Sequence, residues 1–363
     1  MMRNRWKKGK RAAAILLAGF TAFALAGCGS GDSSSDSSAA SAGSSAEESS
    51  STATAGSDGG LVTVRQALMT GNLDYYIAVI GKAQGIFEEY GVDLEYTEYA
   101  YGINTIDAVV NGTADIGNMA NYALVNRFGN TSQDTDLIIF SELSSNSGQN
   151  GGLYVSPEYA DDLSSLDGSI GFITTVGTVW DFYNSAIFEY LGFDESEQNI
   201  ISTDSTQTAL AVVQNNEAAA WYAYGANAER AEEYGWVLAI PSEELGLTTG
   251  AYFVTSQSYN EENTEALAAW LEASQAAYDW INENQEEAAE YMENTTGLDP
   301  NDFYSTWEST VCAIGFSQEG VEDLEAMQEW CYANGKYDNE FVVRDFIDTS
   351  ALELVFPEKV TIE

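Results

Sequence analysis

The chain has 363 residues, with 13 Lys and Arg against 57 Asp and Glu and no His. Six of the basic residues (Arg3, Arg5, Lys7, Lys8, Lys10 and Arg11) sit at the very start, which leaves 7 basic against 57 acidic residues beyond them. Such a body repels nucleic acid, and the lack of His excludes Ser-His-Asp and Cys-His catalysis and His-ligated zinc.

Residues 1–11 are basic, and residues 12–27 (AAAILLAGFTAFALAG) are apolar but short for a membrane span. That order reads as an export signal over 1–27. It ends Leu25-Ala26-Gly27-Cys28, which resembles a bacterial lipobox. The resemblance implies cleavage before Cys28, lipid on its thiol, and attachment to the outer face of the cytoplasmic membrane. Residues 28–60 then read as the lipidated Cys and a flexible tether, because 29–60 hold no apolar side chain larger than Ala and cannot bury enough to offset chain entropy. Two more cysteines, Cys312 and Cys331, suggest a disulfide in an extracytoplasmic setting, with two separate thiols as the alternative.

From residue 61 onward 45% hydrophobic content and 12% aromatics over the whole chain fit a folded body. Residues 61–69 read as a strand, and 75–90 as one helix ended by Gly91. Strands follow at 92–99, 114–119 and 137–143, with helices at 103–110 and 120–129 between them. This β-α-β-α-β-α-β run predicts a parallel α/β sheet. After the polar loop 144–152, strands at 153–156, 169–174, 198–203, 218–224 and 236–241 alternate with helices at 179–191, 206–215 and 226–234. Residues 250–256 read as a strand that crosses back, and 283–348 as mainly helical. The fold class is therefore α/β, with two lobes: 61–144 plus about 255–363, and 145–254. Two crossovers would form a hinge with a cleft between the lobes.

Four segments carry a family resemblance: GKAQGIFEEYGVDLEY (81–96), AVVNGTADIGNMANYAL (108–124), LSSLDGSIGFITTVGT (163–178) and TALAVVQNNEAAAWYAY (208–224). In this order the chain resembles the solute-binding proteins of ABC importers for nitrate, sulfonates and taurine. The resemblance implies the type II periplasmic-binding fold, no enzymatic activity and no cofactor. It also implies ABC permease and ATPase partners, a small-molecule solute and a monomeric protein. The loop after the first strand (TGNLDYY, 70–76) lacks the Pro often seen in that family.

In open α/β sheets ligands lie at the carboxyl ends of strands. Asn72, Asp74, Tyr75 and Tyr76 follow the first strand; Tyr101, Gly102 and Asn104 follow the second; Asn118, Met119 and Asn121 follow the third. Each is a candidate contact, with turn and helix-cap chemistry as the plainer alternative for Asn and Asp. In the second lobe Thr174, Thr175 and Thr178 open a helix whose expected core face is Val179, Phe182, Tyr183, Ala186, Ile187 and Tyr190. Trp180 falls off that stripe. Thr178 with Asp181 resembles a capping box, and Asp181 disfavours an anion at that helix start. Trp221, Tyr222 and Tyr224 end a strand, with Trp221 and Tyr222 on opposite faces, so that one of them belongs to the core. With Trp180 and Tyr101 they suggest an aromatic clamp for a flat ring or a cation.

The acidic body favours cations at long range. Only Arg65, Lys82, Arg127, Arg230, Lys336, Arg344 and Lys359 remain as positive charges; Arg65 lies within the first strand and Lys82 on a helix, and neither is an obvious anion clamp. The expected ligand is therefore neutral or cationic, a heterocycle or amine, with sulfonate, taurine or nitrate as what the resemblance implies. A carboxylate-dependent cell-surface hydrolase using the same cleft is the alternative function.

Overall fold

The computed structural model describes residues 60–363 apart from 100–101, 132–134, 147–150, 176–178, 204 and 246–248. The export signal, Cys28 and the tether up to residue 59 lie outside the described residues, as do Tyr101 and Thr178. Among the described residues no helix is long and apolar enough to cross a membrane.

The first half opens with β1 (Val62–Met69), α1 (Leu73–Ala83), α2 (Ile86–Glu89) and β2 (Val92–Tyr99). The single helix expected over 75–90 is broken, because Gly85 takes φ +75° between the two pieces. That left-handed backbone suits Gly, which has no Cβ to clash. Then come α3 (Gly102–Val110), β3 (Gly117–Ala120), α4 (Asn121–Thr131) and β4 (Leu137–Asn146). The second half holds β5 (Gly151–Val155), β6 (Phe172–Thr175), α5 (Trp180–Leu191), β7 (Ile200–Thr203) and α6 (Thr206–Gln214). It continues through β8 (Ala220–Tyr224), α7 (Ala226–Glu233), β9 (Val237–Pro241) and α8 (Ser242–Leu245). The chain returns in β10 (Thr249–Ser256) and α9 (Gln257–Glu283). It ends through α10 (Gln285–Thr296), α11 (Pro300–Ser309), β11 (Val311–Gly315), α12 (Gln318–Ala333) and α13 (Ser350–Val355).

In the first half β1 and β2 pair in parallel, with Val62 opposite Val92 and Met69 opposite Tyr99. A parallel bridge from Gln66 to Ile116 ties β1 to the start of β3. Beyond it the order is β3, β10, β4, β11. The wholly parallel expectation fails here, because β10 runs antiparallel to both β3 and β4. It enters from the other half and so runs against the strands it joins. β11 adds a further antiparallel edge beside β4, in a region expected to be mainly helical. The second sheet has the order β7, β6, β8, β5, β9. There β6 is parallel to β7 and β8, while β5 is antiparallel to β8 and β9.

The motif at 108–124 does its work in the backbone. Asp115 accepts from the Arg65 main-chain N–H at 2.8 Å and from the Arg65 guanidinium, locking β3 to β1. Gly117 lets α3 come close, since a Cβ there would lie 2.9 Å from the Thr105 carbonyl oxygen. The Thr105 hydroxyl then donates to the Asn118 carbonyl at 2.7 Å and accepts from its N–H at 3.1 Å. These contacts hold Asn118 at one place at the end of the sheet.

The two cysteines are free thiols, which corrects the expected disulfide. Cys312, on β11, has Lys359 and Asp279 for neighbours, whereas Cys331, on α12, has Lys336 and Tyr337. They sit in different environments, although about twenty residues separate them in sequence. Burial pushes the thiol of Cys312 up to about 11 and that of Cys331 up to about 12, so both stay protonated.

Candidate ligand site between the two sheets

On the first half three polar side chains form a chain at the ends of β1 and β3. The Asn72 amide donates to Asn118 Oδ1 at 3.3 Å, and the Asn118 amide donates to Asp74 Oδ2. Asn118 and Asp74 are buried, while Asn72 is half-buried. Asn72 occupies the N-cap position of α1 but makes no side-chain cap bond, so its amide serves this chain instead. Burial lifts the Asp74 carboxyl from 3.8 to about 8, and the main-chain N–H groups of Asp74 and Tyr75, then Asn118 and Asn72, hold it below what burial alone would give.

Farther along the same edge Asn121 opens α4. Its oxygen accepts from the Tyr122 N–H at 2.7 Å, and its amide donates to Asp323 Oδ2 on α12 at 2.7 Å. The Tyr252 hydroxyl, from β10, donates to the Gly320 carbonyl at 2.9 Å and lies 3.4 Å from Asp323 Oδ2. Met119 is paired with Tyr252 across the sheet and is buried.

On the second half Trp180, Tyr183, Tyr222 and Tyr224 form one aromatic cluster. The Trp180 and Tyr224 rings stack at 6.0 Å, and Tyr183 and Tyr222 lie 4.2 Å apart. The Trp180 indole N–H donates to the Tyr222 carbonyl at 2.9 Å, which fixes the ring. The Tyr222 and Ser242 hydroxyls are 2.8 Å apart. Trp180 and Tyr224 are partly exposed, and the other two are buried. Burial pushes the Tyr222 hydroxyl up to about 12, and burial with the neighbouring Tyr222 and Tyr224, and lastly Asp323, pushes Tyr183 well above its ordinary value. The cluster is therefore uncharged, and Tyr183 of the second half lies within the field of Asp323 of the first.

Two helices after β10 bridge the halves. The Lys336 ammonium pairs with Asp181 Oδ2 at 3.3 Å and lies over the Trp330 ring, which Phe182 meets edge-on at 5.3 Å. At α11, Asp302 pairs with Arg230 of α7 at 3.7 Å, and the Thr306 hydroxyl approaches the Gly71 carbonyl at 3.5 Å. Gly225, just past Tyr224, has φ +55° and passes close to Ser309 and Ser305 of α11. The loops after β1 and β8 thus converge on one helix.

Several expected contacts fall elsewhere. Tyr76 is wholly buried and packs edge-on against Phe303 at 5.1 Å, because the second position of that Tyr pair faces α11. Trp221 is also buried, in a core of the second half with Ile173, Val213 and Trp236, since strand alternation sends it behind the sheet while Tyr222 faces forward. Of the rings expected together, Trp180, Tyr222 and Tyr224 do cluster, Tyr183 joins them, and Trp221 does not. The core face of α5 is Val179, Tyr183, Asn184, Ile187 and Phe188; Tyr190 is exposed and Phe182 turns to Trp330. Thr174 donates to Asp181 at 2.9 Å, and the Thr175 hydroxyl lies 3.3 Å from that of Thr203, joining β6 to β7. Asn104 is half-buried on the first turn of α3. Sequence reasoning missed Asp323, Lys336, Tyr252 and Trp330. They reach the site from strands and helices distant in the chain, and no local motif marks them.

All seven cations beyond the first eleven residues have partners. Arg65 pairs with Asp115, Arg127 with Asp107, Arg230 with Asp302, Lys336 with Asp181 and Arg344 with Glu325. Lys82 donates to the Leu94 carbonyl, and Lys359 to Gln275 at 2.8 Å.

The chain matches the family model described as NMT1/THI5 like over residues 72–288. No curated protein sequence matches it. Among solved structures it is similar to the periplasmic aliphatic sulphonate binding protein SsuA from Escherichia coli, with a TM-score of 0.68 at 15% identity, covering 80% of this chain and 98% of that one. It is also similar to the alkanesulfonate-binding protein SsuA from Xanthomonas axonopodis pv. citri bound to MOPS, with a TM-score of 0.61 at 14% identity, over 80% and 99% of the two chains. The periplasmic nitrate-binding protein NrtA from Synechocystis PCC 6803 gives a TM-score of 0.61 at 14% identity, over 83% and 91%. At such identities the likeness is one of fold, and the family match covers more than half of the chain: this protein belongs to the NMT1/THI5-like family and has the fold of periplasmic binding proteins.

Proposed function

We propose that this protein is the extracytoplasmic solute-binding component of an ABC importer, without catalytic activity of its own. The sheets holding β1–β4, β10 and β11, with the C-terminal helices, form one lobe, and the sheet of β5–β9 forms the other, so the boundaries expected at 144 and about 255 move to the ends of β4 and β9. A small solute binds between them and shifts the balance from open to closed. Lipid on Cys28 tethers the protein, as a monomer, to the outer face of the cytoplasmic membrane, where a permease and its ATPase take the solute. The fold shared with sulfonate- and nitrate-binding proteins supports the transport role.

The solute is neutral or cationic. The observation that carries this is the pairing of every body cation, beside a junction lined by neutral aromatic rings and the carboxylates of Asp181 and Asp323. An oxyanion would have to displace one of five ion pairs, draw Lys82 or Lys359 off a neutral oxygen, or rely on main-chain donors. A flat ring or an amine instead finds ring faces and acceptors already in place. Equilibrium titration against taurine, nitrate, alkanesulfonates, pyrimidines and amines tests the reading. Saturable binding of rings or amines is expected, with no turnover; tight binding of nitrate or a simple sulfonate would overturn the ligand class.

A further inference from the structure

The amide chain at the ends of β1 and β3 has a direction. An Asn side chain has one accepting and one donating end, and the Asp74 carboxyl, protonated below about pH 8, still carries a carbonyl oxygen that accepts. Asp74 Oδ2 accepts the Asn118 amide, so the Asn118 oxygen must face Asn72. That oxygen takes the Asn72 amide at 3.3 Å, and the same amide stands beside the Asp74 carboxyl. The donating end of Asn72 is thereby turned inward, toward the buried Asn118. The Asn72 oxygen is left turned away from the carboxyl, on the half-buried residue that begins α1.

We infer that the Asn72–Asn118–Asp74 chain locks the Asn72 amide with its oxygen outward, so that the solute meets a fixed acceptor there and must bring an N–H or O–H donor. This rests on the solute-binding reading above and narrows it. Oxyanions that only accept hydrogen bonds would face an acceptor, at a cost. Donor-bearing amines, amides and amino-substituted rings match it. Two features supply the rigidity. Asn118 is held through its main chain by Thr105, at 2.7 and 3.1 Å, and Asp74 is buried in the first turn of α1. Flipping the Asn72 amide would leave two acceptors face to face at Asn118. Charge plays no part, so a neutral amide and an ammonium are both admitted, while a quaternary ammonium is not favoured at this point.

The test is a thermal-shift and calorimetric comparison of the full-length wild type, Asn72→Leu and Asn72→Asp. The probes are primary amines, each paired with its trimethylammonium counterpart, with primary amides, cytosine, nitrate and ethanesulfonate. The inference expects the wild type to select donor-bearing probes over their donor-free counterparts. Loss of the acceptor in Asn72→Leu weakens those probes about tenfold, the scale of one hydrogen bond. Asn72→Asp, which sets a second acceptor against the Asn118 oxygen, breaks the chain and weakens the neutral donor-bearing probes as Asn72→Leu does. Unchanged affinity in Asn72→Leu, or equal binding of donor-bearing and donor-free partners, overturns the assignment of Asn72 while leaving solute binding intact. A folded wild type that binds no probe in the set refutes the solute-binding reading and this inference together. Melting temperatures of the ligand-free variants establish that all three are folded.

Discussion

Asp74 offers a sharp quantitative test of the site. Its carboxyl lies wholly inside the first half, and burial raises it from 3.8 to about 8. In the unfolded chain the group ionises near its ordinary value; in the folded protein it holds its proton until much higher pH. The folded state therefore binds the extra proton between about pH 4 and pH 8, and stability falls as pH rises through that window. Above pH 8 both states are ionised and the slope vanishes. Each pH unit of such a difference is worth about 1.4 kcal/mol, so the climb from pH 5 to pH 8 costs the wild type up to about 4 kcal/mol at this residue. Asp74→Asn cannot ionise and keeps an oxygen to accept from Asn118. Urea unfolding of wild type and variant at pH 5, 6, 7 and 8 isolates the effect, because every other titrating group is common to both. The wild type should lose stability relative to the variant by about 3 kcal/mol across the range. Parallel curves would refute the burial argument and show Asp74 ionised with water or another donor beside it.

Four further outcomes follow from the packing. Lys336→Met removes the cross-half pair with Asp181, whose partners are each more than a quarter exposed, so global stability should change by under about 1 kcal/mol. The ligand-free protein should nevertheless open, read as a larger radius of gyration in small-angle scattering; an unchanged radius would show that the pair does not hold the halves. Gly225→Ala forces a Cβ into φ +55° and should cost about 1–3 kcal/mol in thermal unfolding. Trp221→Ala should cost about 3–5 kcal/mol of stability, because the ring is core, while Trp180→Ala should weaken solute binding with a smaller effect on folding. Cys312 and Cys331 should titrate as two thiols in denaturant, and reducing agent should leave the melting temperature unchanged; a shift on reduction would mean that they are bridged.

Much of the architecture was readable from local pattern. Runs of apolar residues between turn signals located nearly all the strands of both sheets within a few residues, since a strand in a buried sheet needs a continuous apolar stretch. The break at Gly85 was not read, because a glycine inside a periodic helix does not by itself announce its φ. β11 was missed because a five-residue edge strand has too short a pattern to stand out among helices.

The site divides in the same way. Asn72 and Asp74 could be picked out because they follow the end of β1; Asn118, expected after the third strand, lies inside β3, and the structure joins all three into one hydrogen-bonded chain. Trp221 and Tyr222 could be placed on opposite faces by alternation, but which face was core depended on the layer behind the sheet. Tyr183 looked like ordinary core from its helical spacing, yet the buried ring packs on Tyr222 at 4.2 Å within the aromatic cluster.

Composition and local periodicity alone settled the α/β class, the acidic body, the absence of histidine chemistry and the shortage of positive charge. Those properties belong to single residues or to their near neighbours, so no folding is needed to read them. The partner of each cation, the antiparallel insertion of β10, the separation of the two thiols and the meeting of Asp323 with Asn121 were decided only by tertiary structure. Each of these joins groups far apart in the chain, and their distances are set by how sheets and helices pack, which no local pattern encodes.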